Sequence, residues 1–169
     1  MLLFVGIINA CSSIDNNNND SNNYLLVSNN INDQACGYLN IKGDTVILFN
    51  KYLACFTDTF RNYALVATET EVVAIDRQEK VLYQVFLFDN APDEPSEGLF
   101  RIMQNGKMGF ADAVTGKIVV QPTFDCAFPF ENGKAKVSTN CSIQTDGEHS
   151  TWESNNWTYI NKVGEKVEL

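Results

Sequence analysis

Met108-Gly109-Phe110-Ala111-Asp112-Ala113-Val114-Thr115-Gly116-Lys117-Ile118-Val119-Val120-Gln121-Pro122-Thr123-Phe124 reads as a strand, a tight turn and a second strand that closes at a proline. Thr115-Gly116 supplies the turn, because glycine takes a positive φ without steric cost, and Pro122 removes a donor from the strand it ends. Just upstream, Leu99-Phe100-Arg101-Ile102-Met103 alternates in character, and Asn105-Gly106 is the dipeptide favoured in a type I′ hairpin. Residues 99–121 therefore predict a three-stranded antiparallel meander.

The same pattern recurs along the chain. Cys36-Gly37-Tyr38-Leu39-Asn40 is followed by Gly43 and Thr45-Val46-Ile47-Leu48, and Val72-Val73-Ala74-Ile75-Asp76 by Glu79 and Val81-Leu82. Trp157-Thr158-Tyr159-Ile160-Asn161 is followed by Gly164 and Val167. From Gly37 to Val73 and from Val73 to Gly109 the step is 36 residues, and from Gly109 to Thr158 it is 49. A fixed period of this kind marks a repeat architecture, and the longer last step marks an insertion of about thirteen residues. First strands are expected at residues 24–28, 64–68, 99–103 and 134–138, giving on the order of a dozen short strands in all.

The copies resemble the WG repeat, a bacterial unit that runs aromatic-Gly-aromatic-Ile-Asp/Asn, a Gly turn, then Val-Ile-x-Pro-x-aromatic. Met108-Gly109-Phe110 with Val119-Val120-Gln121-Pro122-Thr123-Phe124 holds most of it; the first copy keeps Gly37, Tyr38, Asn40 and Gly43, and the fourth keeps Trp157. The resemblance implies an all-β fold of about four tandem three-stranded meanders over residues 24–169, in a curved solenoid-like or propeller-like array. It implies no activity. No stretch shows a sustained helical period. The connectors carry Phe56, Phe60, Phe128 and Phe130, which are expected to plug the seams between units. The insertion, at about residues 139–156, contains Asp146-Gly147 and is expected to project as a β-arm or loop, a place where binding often sits.

The N-terminal end behaves differently. Residues 1–10 (MLLFVGIINA) are almost wholly apolar and far too short for the roughly 20 residues of a membrane-spanning helix. They match the apolar region of a secretory signal in length but lack the Lys or Arg that opens one, which a start upstream of Met1 would supply. Ile8-Asn9-Ala10-Cys11 resembles a divergent lipobox of bacterial lipoproteins, which implies lipid attachment at Cys11, a signal segment over residues 1–11 and a membrane as one partner. The alternative is an N-terminal core strand with Cys11 an ordinary thiol. Residues 12–23 are rich in Asn, Ser and Asp and read as a flexible tether.

In 169 residues, 44% are apolar and 21 Asp+Glu stand against 12 Lys+Arg, a net charge of −9. That apolar share excludes a wholly disordered chain, and the acidity argues against nucleic acid as a partner. One His, His149, falls in the insertion, so no Ser-His-Asp, Cys-His or two-His metal site can be assembled around it within the chain. Cys36, Cys55, Cys126 and Cys141 form no C-x-x-C pair; their low density favours small buried hydrophobes, and disulfides, with three possible connectivities, are the alternative. Asp89-Asn90-Ala91-Pro92-Asp93-Glu94-Pro95-Ser96-Glu97 lacks the spacing of a calcium loop and reads as a solvated connector.

No metal or cofactor is expected. Trp157 occupies the repeat's own core position, whereas Trp152 lies on the return of the insertion and is the candidate ligand contact, through stacking on a sugar or an extended peptide. The functional expectation is a non-enzymatic binding or scaffold module, lipid-anchored in the bacterial cell envelope, with a protein or glycan partner. A carboxylate-dependent glycan hydrolase and an acidic inhibitor or immunity-type protein are the alternatives.

Overall fold

A computed structural model describes residues 23–30, 35–146 and 149–168. The signal segment with Cys11, and the tether up to residue 22, lie outside the described residues. The chain is all-β, and the meanders stand where the period puts them. The first unit is β1 (Leu25–Asn30), β2 (Ala35–Leu39) and β3 (Thr45–Tyr52), followed by the connector strands β4 (Ala54–Cys55) and β5 (Thr59–Phe60). The second is β6 (Ala64–Ala67), β7 (Val72–Ile75) and β8 (Val81–Val85), followed by a small hairpin, β9 (Leu87–Phe88) and β10 (Ala91–Pro92). The third is β11 (Leu99–Gln104), β12 (Lys107–Asp112) and β13 (Ile118–Phe124), followed by β14 (Cys126–Ala127). In the fourth, β15 (Lys134–Ser138) is separated from β18 (Thr158–Asn161) and β19 (Lys166–Val167) by an arm of β16 (Ser142–Asp146) and β17 (His149–Glu153).

The register repeats with the sequence. Gly37 pairs with Ser28, Val73 with Val66, Gly109 with Ile102 and Thr158 with Val137, each a second-strand residue opposite its unit's first strand. Every second strand ends on, or runs directly into, an Asp or Asn that builds the next turn. Asn40 Oδ1 accepts the amides of Lys42 and Asp44, Asp76 Oδ1 those of Gln78 and Lys80, Asp112 Oδ1 those of Val114 and Thr115, and Asn161 Oδ1 those of Val163 and Glu165. The side chain satisfies turn amides that no strand reaches, which is why this consensus position is Asp or Asn in all four copies. Asn105 and Gly106 both have positive φ, as a type I′ hairpin requires.

Units are joined by exchange of strands. β4 and β14 leave the third strand of one unit and pair with the first strand of the next, β6 and β15, while β5 turns back onto β1. β8 pairs with β11, so units two and three share one seven-stranded sheet in the order β13-β12-β11-β8-β7-β6-β4. The first sheet runs β3-β2-β1-β5 and the last β14-β15-β18-β19; the orders are open. Three core clusters sit at the three seams. At the first, Tyr38 meets Phe60 edge-on at 5.3 Å, and at the last Phe110 meets Phe130 edge-on at 4.7 Å, so a consensus aromatic is plugged by a connector aromatic in both. Phe56 and Phe128, expected to do the same, are partly exposed instead.

The turn of each later unit also docks on the strand entry of the unit before it. Arg77 Nη1 donates to the carbonyls of Asn23 and Phe60, Tyr63 Oη donates to the Ala113 carbonyl, and Lys162 Nζ donates to the Glu97 carbonyl and pairs with its carboxylate at 3.1 Å. Arg77, Ala113 and Lys162 each follow directly on the turn-building Asp or Asn.

The cysteines correct the free-thiol expectation. Cys36 is bonded to Cys55 and Cys126 to Cys141, each with Cα atoms 6.0 Å apart. The spacing along the chain hides this, because β4 and β14 bring a connector cysteine beside one that is 19 or 15 residues away.

Candidate functional site

The arm and the β9–β10 hairpin converge on one face of the last seam. Asp89 and Asn90 both have positive φ and turn the hairpin tightly, a type I′ geometry hidden in what the sequence presents as an acidic loop. The hairpin is held down by an ion pair. Asp93 and Arg101 are 5% and 4% exposed; Asp93 Oδ2 accepts Arg101 Nε at 3.0 Å and the Arg101 amide at 2.8 Å, and Oδ1 accepts Arg101 Nη2. Arg101 Nη1 donates to the Ala127 carbonyl, tying β11 to β14. Asp93 is thus not part of a solvated connector. A buried carboxylate must be paired, and the guanidinium on the next strand pairs it.

The Arg101 guanidinium also lies 4.4 Å from the ring centre of Phe86. From Phe86 an aromatic chain runs outward. Trp152 packs on Phe86 at 5.7 Å and, edge-on, on Phe128 at 5.3 Å; Phe128 packs on Trp157 at 5.5 Å. Lys136 Nζ caps it, 4.5 Å from the Trp157 ring centre. Trp157 is half-buried on this rim rather than in the core, which corrects its expected place. The equivalent Cys36, Val72 and Met108 are buried, but the arm carries the chain away just before Trp157.

Beside the chain lies a groove of about 1130 Å³, bounded by the β9–β10 hairpin, by Phe128 and Pro129, and by Thr151 and Trp152 of the arm. Phe88 stands in its wall 66% exposed. Asp89 and Glu94 are exposed on its edge, and its one guanidinium, Arg101, is taken up by Asp93. The foot of the arm is fixed by the Cys126–Cys141 disulfide and by Ser154, whose hydroxyl donates to the Asn140 carbonyl and lies 2.8 Å from that of Ser138.

Trp152, the residue singled out from sequence, is therefore at the groove, half-buried against the last core cluster. Phe86, Phe88 and Arg101, which sequence reasoning did not single out, line the same groove. The available signal was the run Phe86-Leu87-Phe88 ahead of a β-turn dipeptide. His149 is at the tip of the arm, its backbone paired with Asp146. Cys11 is outside the described residues.

The family comparison speaks to the scaffold. The model described as a WG containing repeat matches residues 74–107 and 108–140. The chain carries WG repeats. Each matched segment begins on a second strand and ends two or three residues past the next unit's first strand, so a WG repeat as the family counts it spans one seam of this fold. No curated protein and no solved structure matches the chain significantly.

Proposed function

We propose that this WG-repeat chain is a binding module rather than an enzyme, and that the groove between the β9–β10 hairpin and the arm is its ligand face. The observation that carries the reading is the convergence of Phe86, Phe88, Phe128 and Trp152 around one groove of about 1130 Å³, built by the two segments that depart from the regular repeat. Pockets that take small ligands run to about 1,000 Å³ and are mostly apolar, and projecting loops on a rigid scaffold are where binding concentrates. The glycan-hydrolase alternative needs two free facing carboxylates. Of the three carboxylates at this groove, Asp93 has both oxygens occupied by Arg101, and Asp89 and Glu94 stand exposed on the edge rather than enclosed in a cleft.

The module is displayed, on this reading, in the bacterial cell envelope through a lipid on Cys11. Two disulfides support that address, since such bonds persist in oxidising compartments. Mass spectrometry of the membrane fraction tests it: a lipid-modified Cys11 N-terminus is the expected result, and an unmodified chain retaining Met1 contradicts it. For the groove, Trp152→Ala and Phe88→Ala are each expected to reduce binding to envelope peptides or glycans. Unchanged binding in both overturns the groove as the ligand face, and Phe88, being exposed, can be replaced without disturbing the core.

A further inference from the structure

We infer that the groove takes an extended, basic segment of a partner protein, one that presents Lys or Arg side chains next to an apolar anchor. This rests on the reading of the groove as the ligand face. Its volume of about 1130 Å³ is far more than a single ammonium or guanidinium group needs, so the occupant is a stretch of several residues. The walls are apolar and aromatic, with Phe88 the most exposed ring, and they would bury an apolar side chain.

The edge decides the charge. Asp89 and Glu94 are exposed there without a salt-bridge partner among the described residues, and no lysine lines the groove. The groove's own guanidinium already rests over Phe86, and Lys136 over Trp157 close by. Those rings are taken, and Phe88, 66% exposed in the wall, is the ring that offers a face to a cation arriving from outside. The whole chain, at a net charge of −9, attracts a basic partner and repels an acidic one before contact.

The test uses three probes: a nine-residue peptide alternating Lys and Leu, its counterpart with Glu in place of Lys, and a neutral chitin hexamer. Each is titrated into the protein by calorimetry at low and high salt. The Lys peptide is expected to bind, more weakly as salt rises, and to lose about fivefold or more in affinity in the Asp89→Asn/Glu94→Gln variant and again in Phe88→Ala. Asp44→Asn/Asp58→Asn, which removes the same charge from exposed positions of the first unit, none of whose residues lines the groove, is expected to leave affinity within about twofold. Equal binding of the Glu peptide, preference for the hexamer, or an unchanged affinity in Asp89→Asn/Glu94→Gln overturns the basic-segment assignment. If Phe88→Ala still weakens whichever probe binds, the groove reading survives that result. If no probe binds, or if Phe88→Ala and Phe128→Ala change nothing, the groove reading falls together with the inference.

Discussion

At Gly109 the backbone of the third strand passes where a side chain would be. A Cβ there would lie 2.4 Å from the Val120 carbonyl oxygen and 2.7 Å from the Pro122 nitrogen, because the β12–β13 register slips between Met108 and Phe110. Gly37 is confined in the same way by the Ile47 carbonyl, whereas Val73 pairs directly with Gln84 and Thr158 has no third-strand partner among the described residues. The consensus glycine is therefore needed only over a bulge, which explains why two copies do without it. Gly109→Ala is expected to cost about 1–3 kcal/mol in urea unfolding, the range for forcing extra atoms into packed structure. Asp93→Ala is expected to cost about 3–5 kcal/mol by the same measurement, because it leaves the Arg101 charge buried and unpaired. The glycine's position was legible in the sequence through its period. Its cause was not, since a bulge depends on register between strands, and the Asp93–Arg101 pair was hidden inside runs that read as a polar loop and an alternating strand.

Among the elements, the strands were the most legible, because period-2 runs and the Asn105-Gly106 turn encode them locally. The connectors were the least legible. Phe60 and Phe130 enter seams while Phe56 and Phe128 do not, a difference fixed by how β5 folds back and where the arm leaves the sheet. The disulfides belong to the same class, being made by connector strands that cross to the next unit. Replacing Cys126 and Cys141 by Ala is expected to lower stability by about 3 kcal/mol, the chain-entropy value for a loop of about 15 residues, as read by thermal or urea unfolding. The same variant should also loosen the foot of the arm and with it the contact of Trp152 on Phe86. Near-ultraviolet circular dichroism of the tryptophans in the folded variant reports that contact directly, and an unchanged spectrum would separate the disulfide from the site.

The whole molecule is a row of meanders welded at three seams, and tyrosines sit at the first two. Burial first, and Glu79 second, push the Tyr52 hydroxyl up to about 12, and burial likewise raises Tyr38, Tyr63 and Tyr83 above their ordinary value of 10.0. The folded state thus holds these protons more tightly than the unfolded chain. Stability is intact below pH 10 and is expected to fall as pH rises from about 10 toward 12, followed as a declining midpoint in urea. At this scale the sequence displayed the four-unit array and pointed to one residue of the groove, Trp152. The groove itself was not legible, because it forms only where the β9–β10 hairpin of one connector meets an arm some sixty residues further on.

With only two tryptophans in the chain, nuclear magnetic resonance of their indole N–H groups during titration with the basic peptide tests that meeting point most directly. The account predicts that the Trp152 indole signal and the amides of Phe88 and Asp89 move together while those of the first unit stay still. Shifts confined to the first unit or spread over distant acidic turns, with Trp152 unmoved, would contradict it.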